Sequence, residues 1–360
     1  MQTNLLQYKQ DRKSSLDKIT SYIPWKNLWS EYMKLNSNEN QYEYDFPFRE
    51  KLSQMILDEK LQNYPDFNTI KYQENIKTAF GCSAENVIFD NWSSWVLNLI
   101  FRAFVEKWDK VATAWPTFIL YKMLSDLQQS NYIELPWRSD LSLPTEELIN
   151  TDAELTIICN PNNPTWHLIP RIEIEKVIAS AKWIVVVDEA YIEFSNDSVL
   201  DIIEKYDNLI VTRTFSKAYW MAWLRIGAWF ASKNLIEKIK KVQLPFAVSL
   251  INQYAISLIL ENMSSFEENI KKIRINRDRL TTKLKEAWFE IQESSSNFVL
   301  VRKMWYSSEK ITKMLEERKV LVRYVWQMHD SKDYFRISIW TKEQMDRFVD
   351  ILNDVIRKYI

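Results

Sequence analysis

The feature that most constrains the fold is a series of short, unbroken apolar runs, each followed by a helical pattern. In WIVVVDEAY (183–191) no polar residue interrupts the run before Asp188. A strand with one wet face alternates apolar and polar residues, whereas a strand apolar on both faces must be covered on both. VIFD (87–90), KVATA (110–114), ELTIICN (154–160) and NLIVTRTFS (208–216) read the same way. The helical stretches VLNLIFRAFVEK (96–107), PTFILYKMLSDLQQ (116–129) and IEIEKVIASA (172–181) lie between them. Strands separated by helices predict an α/β fold, a mostly parallel sheet flanked by helices. Upstream, Phe48, Leu52, Met55 and Ile56 mark a helix within 48–62, and NTIKYQENIKTAFG (68–81) reads as a helix closed by Gly81. LNSNEN (35–40) reads as loop, and a short helix is expected over Ser14–Tyr22.

Beyond residue 245 the pattern changes. A long helical region (248–288) leads to the strands FVLVRK, VLVRY and YFRISI, with the helix SSEKITKMLEERK among them. TKEQ (341–344) is a capping box opening a last helix, whose buried stripe is Phe348, Leu352 and Val355. The expected division is an N-terminal arm and small-domain segment over 1–45, a large domain over 46–245 and a small α+β domain over 246–360.

Composition narrows the function. The 360 residues are 46% hydrophobic and 26% charged with net charge −1, so no basic excess points to nucleic acid. No apolar run reaches the ~18 residues a membrane span needs. MQTNLLQYKQDRKSS lacks the apolar segment of a secretory signal. Cys82 and Cys159 have no metal-binding spacing, and His167 and His329 are the only histidines. The reading is a reduced, cytoplasmic protein without a metal centre.

In an open parallel sheet, ligands bind beyond the C-terminal strand ends. Ser93 and Ser94 lie past VIFD, Phe118 past KVATA and Asn163 past ELTIIC. Asp188 and Tyr191 follow WIVVV, and Ser216, Lys217 and Arg225 follow NLIVTRTF. Ser93 and Ser94 open a helix, and with Ser216 and Arg225 they suit a phosphate. Phe118 offers a flat face, Asp188 a carboxylate, Tyr191 and Asn163 neutral hydrogen bonds, and Lys217 an amine. A phosphate, a flat ring, a ring nitrogen, a ring oxygen and a carbonyl that condenses with lysine together describe pyridoxal 5'-phosphate. Lys217 then serves as the covalent anchor and as general base and acid.

The chain resembles the fold-type-I pyridoxal-phosphate transferases and, among them, is similar to the histidinol-phosphate aminotransferase family. The resemblance runs from about Tyr22 to the C-terminus. It is carried by SYIPWK (21–26), LNSNEN (35–40), NYPD (63–66), NWSSW (91–95), PTFILY (116–121), CNPNNPTW (159–166), VVDEAYIEF (186–194), TFSKAYWMAWLRIG (214–227), SNFVLV (296–301) and YFRISIW (334–340).

The resemblance implies a homodimer in which Tyr64 reaches the cofactor phosphate of the neighbouring subunit. It implies that Arg336 binds the substrate's acidic group, helped by Arg323, and that Tyr22 and Asn38 belong to the substrate pocket. The substrates it implies are histidinol phosphate and imidazole acetol phosphate, paired with glutamate and 2-oxoglutarate. An aromatic-amino-acid aminotransferase and a threonine-phosphate decarboxylase are the alternatives within the fold. A cofactor-free dimeric remnant is the alternative outside it. The sequence departs from the family's pattern at QYEYDFP after NEN, and at Ser94 and Trp95, where the family has an acidic pair.

Glycine is scarce. Two glycines and 16 tryptophans together fill 18 of the 360 positions, close to the share of about 7% that glycine alone usually takes. Trp25, Trp92, Trp108, Trp166, Trp220, Trp223, Trp288 and Trp340 fall where the family pattern has, or would readily take, glycine; Trp229 is undecided. The expectation is that most of these positions are native glycines. UGA specifies glycine in some bacterial lineages and tryptophan under a common alternative code.

Overall fold

The computed structural model describes residues 31–42, 46–60, 62–65, 73–195, 197–325 and 332–359. The apolar runs form β1 (Val87–Asn91), β2 (Lys110–Trp115), β4 (Leu155–Cys159), β5 (Ile184–Asp188) and β6 (Leu209–Thr214). Two further strands, β3 (Asn131–Pro136) and β7 (Ile226–Ala231), complete one sheet in the order β1-β7-β6-β5-β4-β2-β3. Only β7 runs against its neighbours, pairing antiparallel with both β1 and β6. The reason is local. The connection 215–225 between β6 and β7 contains no helix, and a short connection can only return the chain antiparallel.

The apolar runs are covered on both faces. Val185 and Val187 pack on one side with Ala112 and Val211. Val186, between them in sequence, packs on the other with Ile157 and Ile210. This is the two-residue strand period divided between two cores.

The helices after β1 and β2 are Ser93–Phe104 and Leu120–Gln128, each starting and ending a few residues from its expected bounds. The expected helix over 172–181 is Arg171–Ser180, and Gly81, at φ +74°, follows Gln73–Phe80. The long region past 245 is two helices, Leu250–Glu261 and Met263–Glu286. They break at Asn262, whose side-chain amide donates to the Leu258 carbonyl at 2.7 Å, a local bond that competes with helix continuation.

The C-terminal strands β8 (Phe289–Ile291), β9 (Phe298–Lys303), β10 (Arg323–Val325) and β11 (Tyr334–Ser338) make an antiparallel sheet ordered β10-β11-β9-β8. Met33–Lys34 pairs with Val320–Leu321, tying the segment before residue 42 to this region. The last helix, Lys342–Tyr359, carries the expected reciprocal cap. The Thr341 N–H donates to the Gln344 side chain at 3.2 Å, and the Gln344 N–H to the Thr341 hydroxyl at 3.4 Å. The architecture is a large, mostly parallel sheet flanked by helices plus a small antiparallel sheet region.

Candidate active site

Because β1, β2, β4, β5 and β6 point the same way, their C-terminal ends deliver side chains to one edge of the sheet. A cavity of about 920 Å³ opens there. Its wall includes Ser93, Ser94, Phe118, Asn163, Asp188, Tyr191, Ser216, Lys217 and Arg225, together with Asn38 and Arg336.

At one end stands a cup of polar groups. Ser93 and Ser94 are the first residues of helix Ser93–Phe104, which has no acidic residue in its first turn and no side-chain cap. Its N-terminal dipole therefore meets no negative side chain of its own. Arg225 donates to the Ser216 hydroxyl at 3.3 Å and to the Ala222 carbonyl at 2.9 Å. Gly227 lets β7 approach this helix start: a Cβ there would lie 2.7 Å from the Ser93 nitrogen. Side-chain hydroxyls, a guanidinium and a helix N-terminus together make an anion site.

Lys217 is half-buried, and its Nζ donates to the Ser37 carbonyl at 2.9 Å. Burial lowers its pKa to about 8, and the nearby Arg336 and Arg225 push the same way. The amine is therefore largely neutral at mildly alkaline pH, as a nucleophile must be.

Asp188, at the end of β5, is buried, and burial raises its pKa. Each carboxylate oxygen accepts one bond, from the Tyr121 hydroxyl at 2.6 Å and from the Thr212 hydroxyl at 3.0 Å. Fixed donors on both oxygens aim the group while leaving lone pairs for a cationic N–H.

Tyr191 accepts from the Asn38 amide at 3.1 Å, which leaves its own O–H to donate. Burial pushes that phenol up to about 12, so it stays protonated. Asn38 is held by Ser338, which accepts from the Asn38 N–H at 2.8 Å, and by Asn297, which donates to the Asn38 carbonyl at 2.9 Å. Arg336 is buried, donating to the Asn36 carbonyl at 2.9 Å and to the Asn163 side-chain oxygen at 3.3 Å. The Asn163–Pro164 peptide is cis. Cys159 also borders the cavity, but burial pushes its thiol up to about 12, so it offers no thiolate.

Three expected residues stand apart from this cluster. Arg323 faces Arg336 across the β10–β11 ladder, which places the two side chains on one sheet face, but it does not line the cavity. Tyr64 is 79% exposed, stacked on Phe246 with ring centroids 4.7 Å apart, and it too is not part of this chain's cavity wall. Tyr22 lies outside the described residues. Tyr121 and Thr212 were not expected. Tyr121 follows Phe118 by one helical turn, and Thr212 is a polar residue within an apolar strand; the second is the signal that could have been read.

The donor set fits pyridoxal phosphate. It offers an anion cup, an aromatic side chain at Phe118, a buried carboxylate and a partly desolvated amine around one cavity, with no competing thiolate.

Residues 30–352 match the class I and II aminotransferase family, and the chain belongs to it. It is an enzyme, a transaminase. Among its relatives, histidinol-phosphate aminotransferase 1 of Trichormus variabilis is 30% identical, covering 96% of this chain and 99% of that protein. Histidinol-phosphate aminotransferase 3 of Mesorhizobium japonicum is 34% identical, covering 91% and 89%. In fold, the chain is similar to the histidinol-phosphate aminotransferase of Clostridium acetobutylicum, with TM-score 0.82, 23% identity and 91% and 99% coverage. The corresponding enzyme of Sinorhizobium meliloti, solved in complex with pyridoxal-5'-phosphate, has TM-score 0.82 at 22% identity and covers 91% of this chain and 92% of that one.

Proposed function

We propose that the chain binds pyridoxal 5'-phosphate in this cavity. We further propose that it moves an amino group between histidinol phosphate and 2-oxoglutarate, giving imidazole acetol phosphate and glutamate, in histidine biosynthesis. The observation that carries the reading is the convergence of Lys217, Asp188, Arg336 and the Ser93–Ser94–Ser216–Arg225 cup on one cavity. The likeness to the two named relatives supports the substrate. When bound, the cofactor supplies a carbonyl that condenses with amines and a ring that withdraws electrons from the reacting carbon.

The chain's residues supply the rest. The cup would hold the phosphate, and Phe118 would offer its aromatic face to the ring. Asp188 keeps a proton on the ring nitrogen. Tyr191 and Asn163 bond the ring oxygen, with Asn38 fixing the tyrosine. Lys217 Nζ would take the proton from the substrate Cα and deliver it to the cofactor's former carbonyl carbon, on the other side of the shared nitrogen. Arg336 docks the acidic group, a carboxylate for glutamate and the phosphate for histidinol phosphate, with Arg323 beside it. Tyr22 completes the substrate pocket.

The reading includes a cytoplasmic homodimer in which Tyr64 serves the cavity of the second copy. The exposed aromatic pair Tyr64–Phe246 supports a covered surface there. Among the described residues no helix is long and apolar enough to cross a membrane.

Transamination measured side by side with histidinol phosphate, aromatic amino acids and threonine phosphate tests the substrate. Highest kcat/KM is expected with histidinol phosphate; preference for an aromatic amino acid, or release of carbon dioxide from threonine phosphate, overturns it. Arg336→Ala should lower kcat/KM for both physiological amino donors by roughly tenfold to a hundredfold, since a charged hydrogen bond contributes about 1.5–3 kcal/mol. Arg336→Lys should recover only part, because the planar fork is lost. An unchanged kcat/KM in the alanine variant would remove Arg336 from the substrate site.

Cofactor uptake has its own pH dependence. Condensation needs the neutral amine, so the rate at which the cofactor-free protein takes up pyridoxal phosphate should rise with pH through a midpoint near 8. Stopped-flow absorbance measures it; a midpoint near an ordinary lysine's ~10.4 would show that the site does not depress this amine.

A further inference from the structure

We infer that positions 108, 166, 220, 288 and 305 are glycine in the protein its own cell makes. Twelve non-glycine residues have positive φ among the described residues, and five are tryptophan: Trp108 (76°), Trp166 (47°), Trp220 (59°), Trp288 (60°) and Trp305 (68°). Tryptophan fills only 16 of the 360 positions. Left-handed backbone is tolerated by asparagine and aspartate and disfavours bulky side chains. Tryptophan's concentration there is the reverse of what sterics allow.

Each position occupies a turn whose geometry calls for glycine. The Asp109 N–H donates to the Glu106 carbonyl at 3.3 Å, and the Tyr306 N–H to the Lys303 carbonyl at 3.1 Å. Both are four-residue turns, and Trp108 and Trp305 take their third positions. Lys107 and Met304, at the second positions, are not among the positive-φ residues, so the turns follow the type II pattern, in which the third residue is glycine. Trp288 follows the end of helix Met263–Glu286 by two residues, its N–H donating to the Lys285 carbonyl at 2.9 Å; this is the left-handed stop that glycine usually supplies.

The other two positions border the active site. Trp166 comes three residues after Asn163, its N–H donating to the Asn162 carbonyl at 2.5 Å. Trp220 comes three residues after Lys217 and lines the cavity, in a loop closed by the Met221 N–H donating to the Phe215 carbonyl at 2.9 Å. In both places the chain presents a functional side chain and then reverses.

Three of the indoles bury little area; Trp220 has Arg49 over its ring at 5.4 Å, and Trp166 packs edge-on to Phe298 in the core. Trp108, Trp288 and Trp305 are 67%, 85% and 91% exposed, unusual for so large an apolar side chain. Trp166 is fully buried, yet its ring N–H has no hydrogen-bond partner among the described residues, where a buried indole normally finds one. One cause covers all five positions: a UGA codon that its own cell reads as glycine. Trp92, Trp223 and Trp340 lack left-handed backbone, and Trp25 lies outside the described residues, so the inference is confined to the five.

Peptide mass spectrometry of the protein purified from its source cell decides it. Glycine is expected at all five positions, and tryptophan at any one overturns the inference. A second measurement tests the backbone argument on the chain as written. The triple variant W108G/W288G/W305G, which loses little buried area, should melt a few degrees higher than its parent, while alanine at the same positions, keeping the strain, should melt below the glycine variant. An alanine variant equal to or above the glycine variant overturns the argument from φ.

Discussion

Replacing Lys217 with alanine should lower transamination by at least about a thousandfold. Proton transfer by a positioned group contributes roughly 10²–10⁴-fold, and the covalent anchor is lost with it. Stability should move the other way. Burial lowers the Lys217 pKa to about 8, so the unfolded chain binds more protons than the folded one between that pH and the ordinary lysine value. The charged amine therefore destabilises the cofactor-free fold fully below pH 8, and the penalty disappears as pH rises through about 10.4. The alanine variant should match or exceed its parent in Tm below pH 8, with the gap closing in alkali. Thermal melts of the cofactor-free proteins across this range check the sign. A variant that stays fully active, or one destabilised most strongly at neutral pH, contradicts the assigned role.

Much of this site is legible in the sequence because of one physical rule. Parallel strands send their C-terminal ends to one edge, so a list of the residues beyond each apolar run becomes a list of neighbours. Lys217, Asp188, Asn163 and Arg225 are found this way. What is not legible depends on orientation between elements. Tyr121 looks like one more aromatic on a helix stripe until that helix is laid on the sheet and its hydroxyl meets Asp188. Asn38 sits in a polar loop, and its bond to Tyr191 depends on how that loop is held, by Ser338 at the end of β11 and Asn297 just before β9. The antiparallel strand β7 follows from the missing helix between Lys217 and Arg225, a signal present in the sequence but carried by an absence. Arg323 and Arg336 look alike as arginines on strands, and register pairs them on one sheet face; Arg323 lies on the edge strand β10 and Arg336 on the inner strand β11, and of the two only Arg336 lines the cavity.

Asp188→Asn should separate catalysis from folding in the same way as Lys217→Ala, through a different atom. The carboxylate is buried, and its pKa is raised by that burial against the partial relief from Tyr121 and Thr212. A raised folded-state pKa means the group disfavours the fold once pH exceeds its unfolded value near 3.9. The near-isosteric amide removes that charge, though one of its two donors then faces an N–H₂ group rather than an acceptor. The cofactor-free variant should therefore be as stable as its parent at neutral pH, or differ by no more than one hydrogen bond, about 1 kcal/mol. With the cofactor bound the balance reverses. The ring nitrogen loses the anion that holds its proton, and breaking a buried ion pair costs about 3–5 kcal/mol, or roughly two to four orders of magnitude in kcat. The absorbance of the bound cofactor should shift as the ring loses that proton, a readout independent of turnover. Asp188→Glu would keep the charge but displace it, and should recover part of the absorbance and little of the rate. An asparagine variant with unaltered absorbance and kcat would show that Asp188 does not face the ring nitrogen.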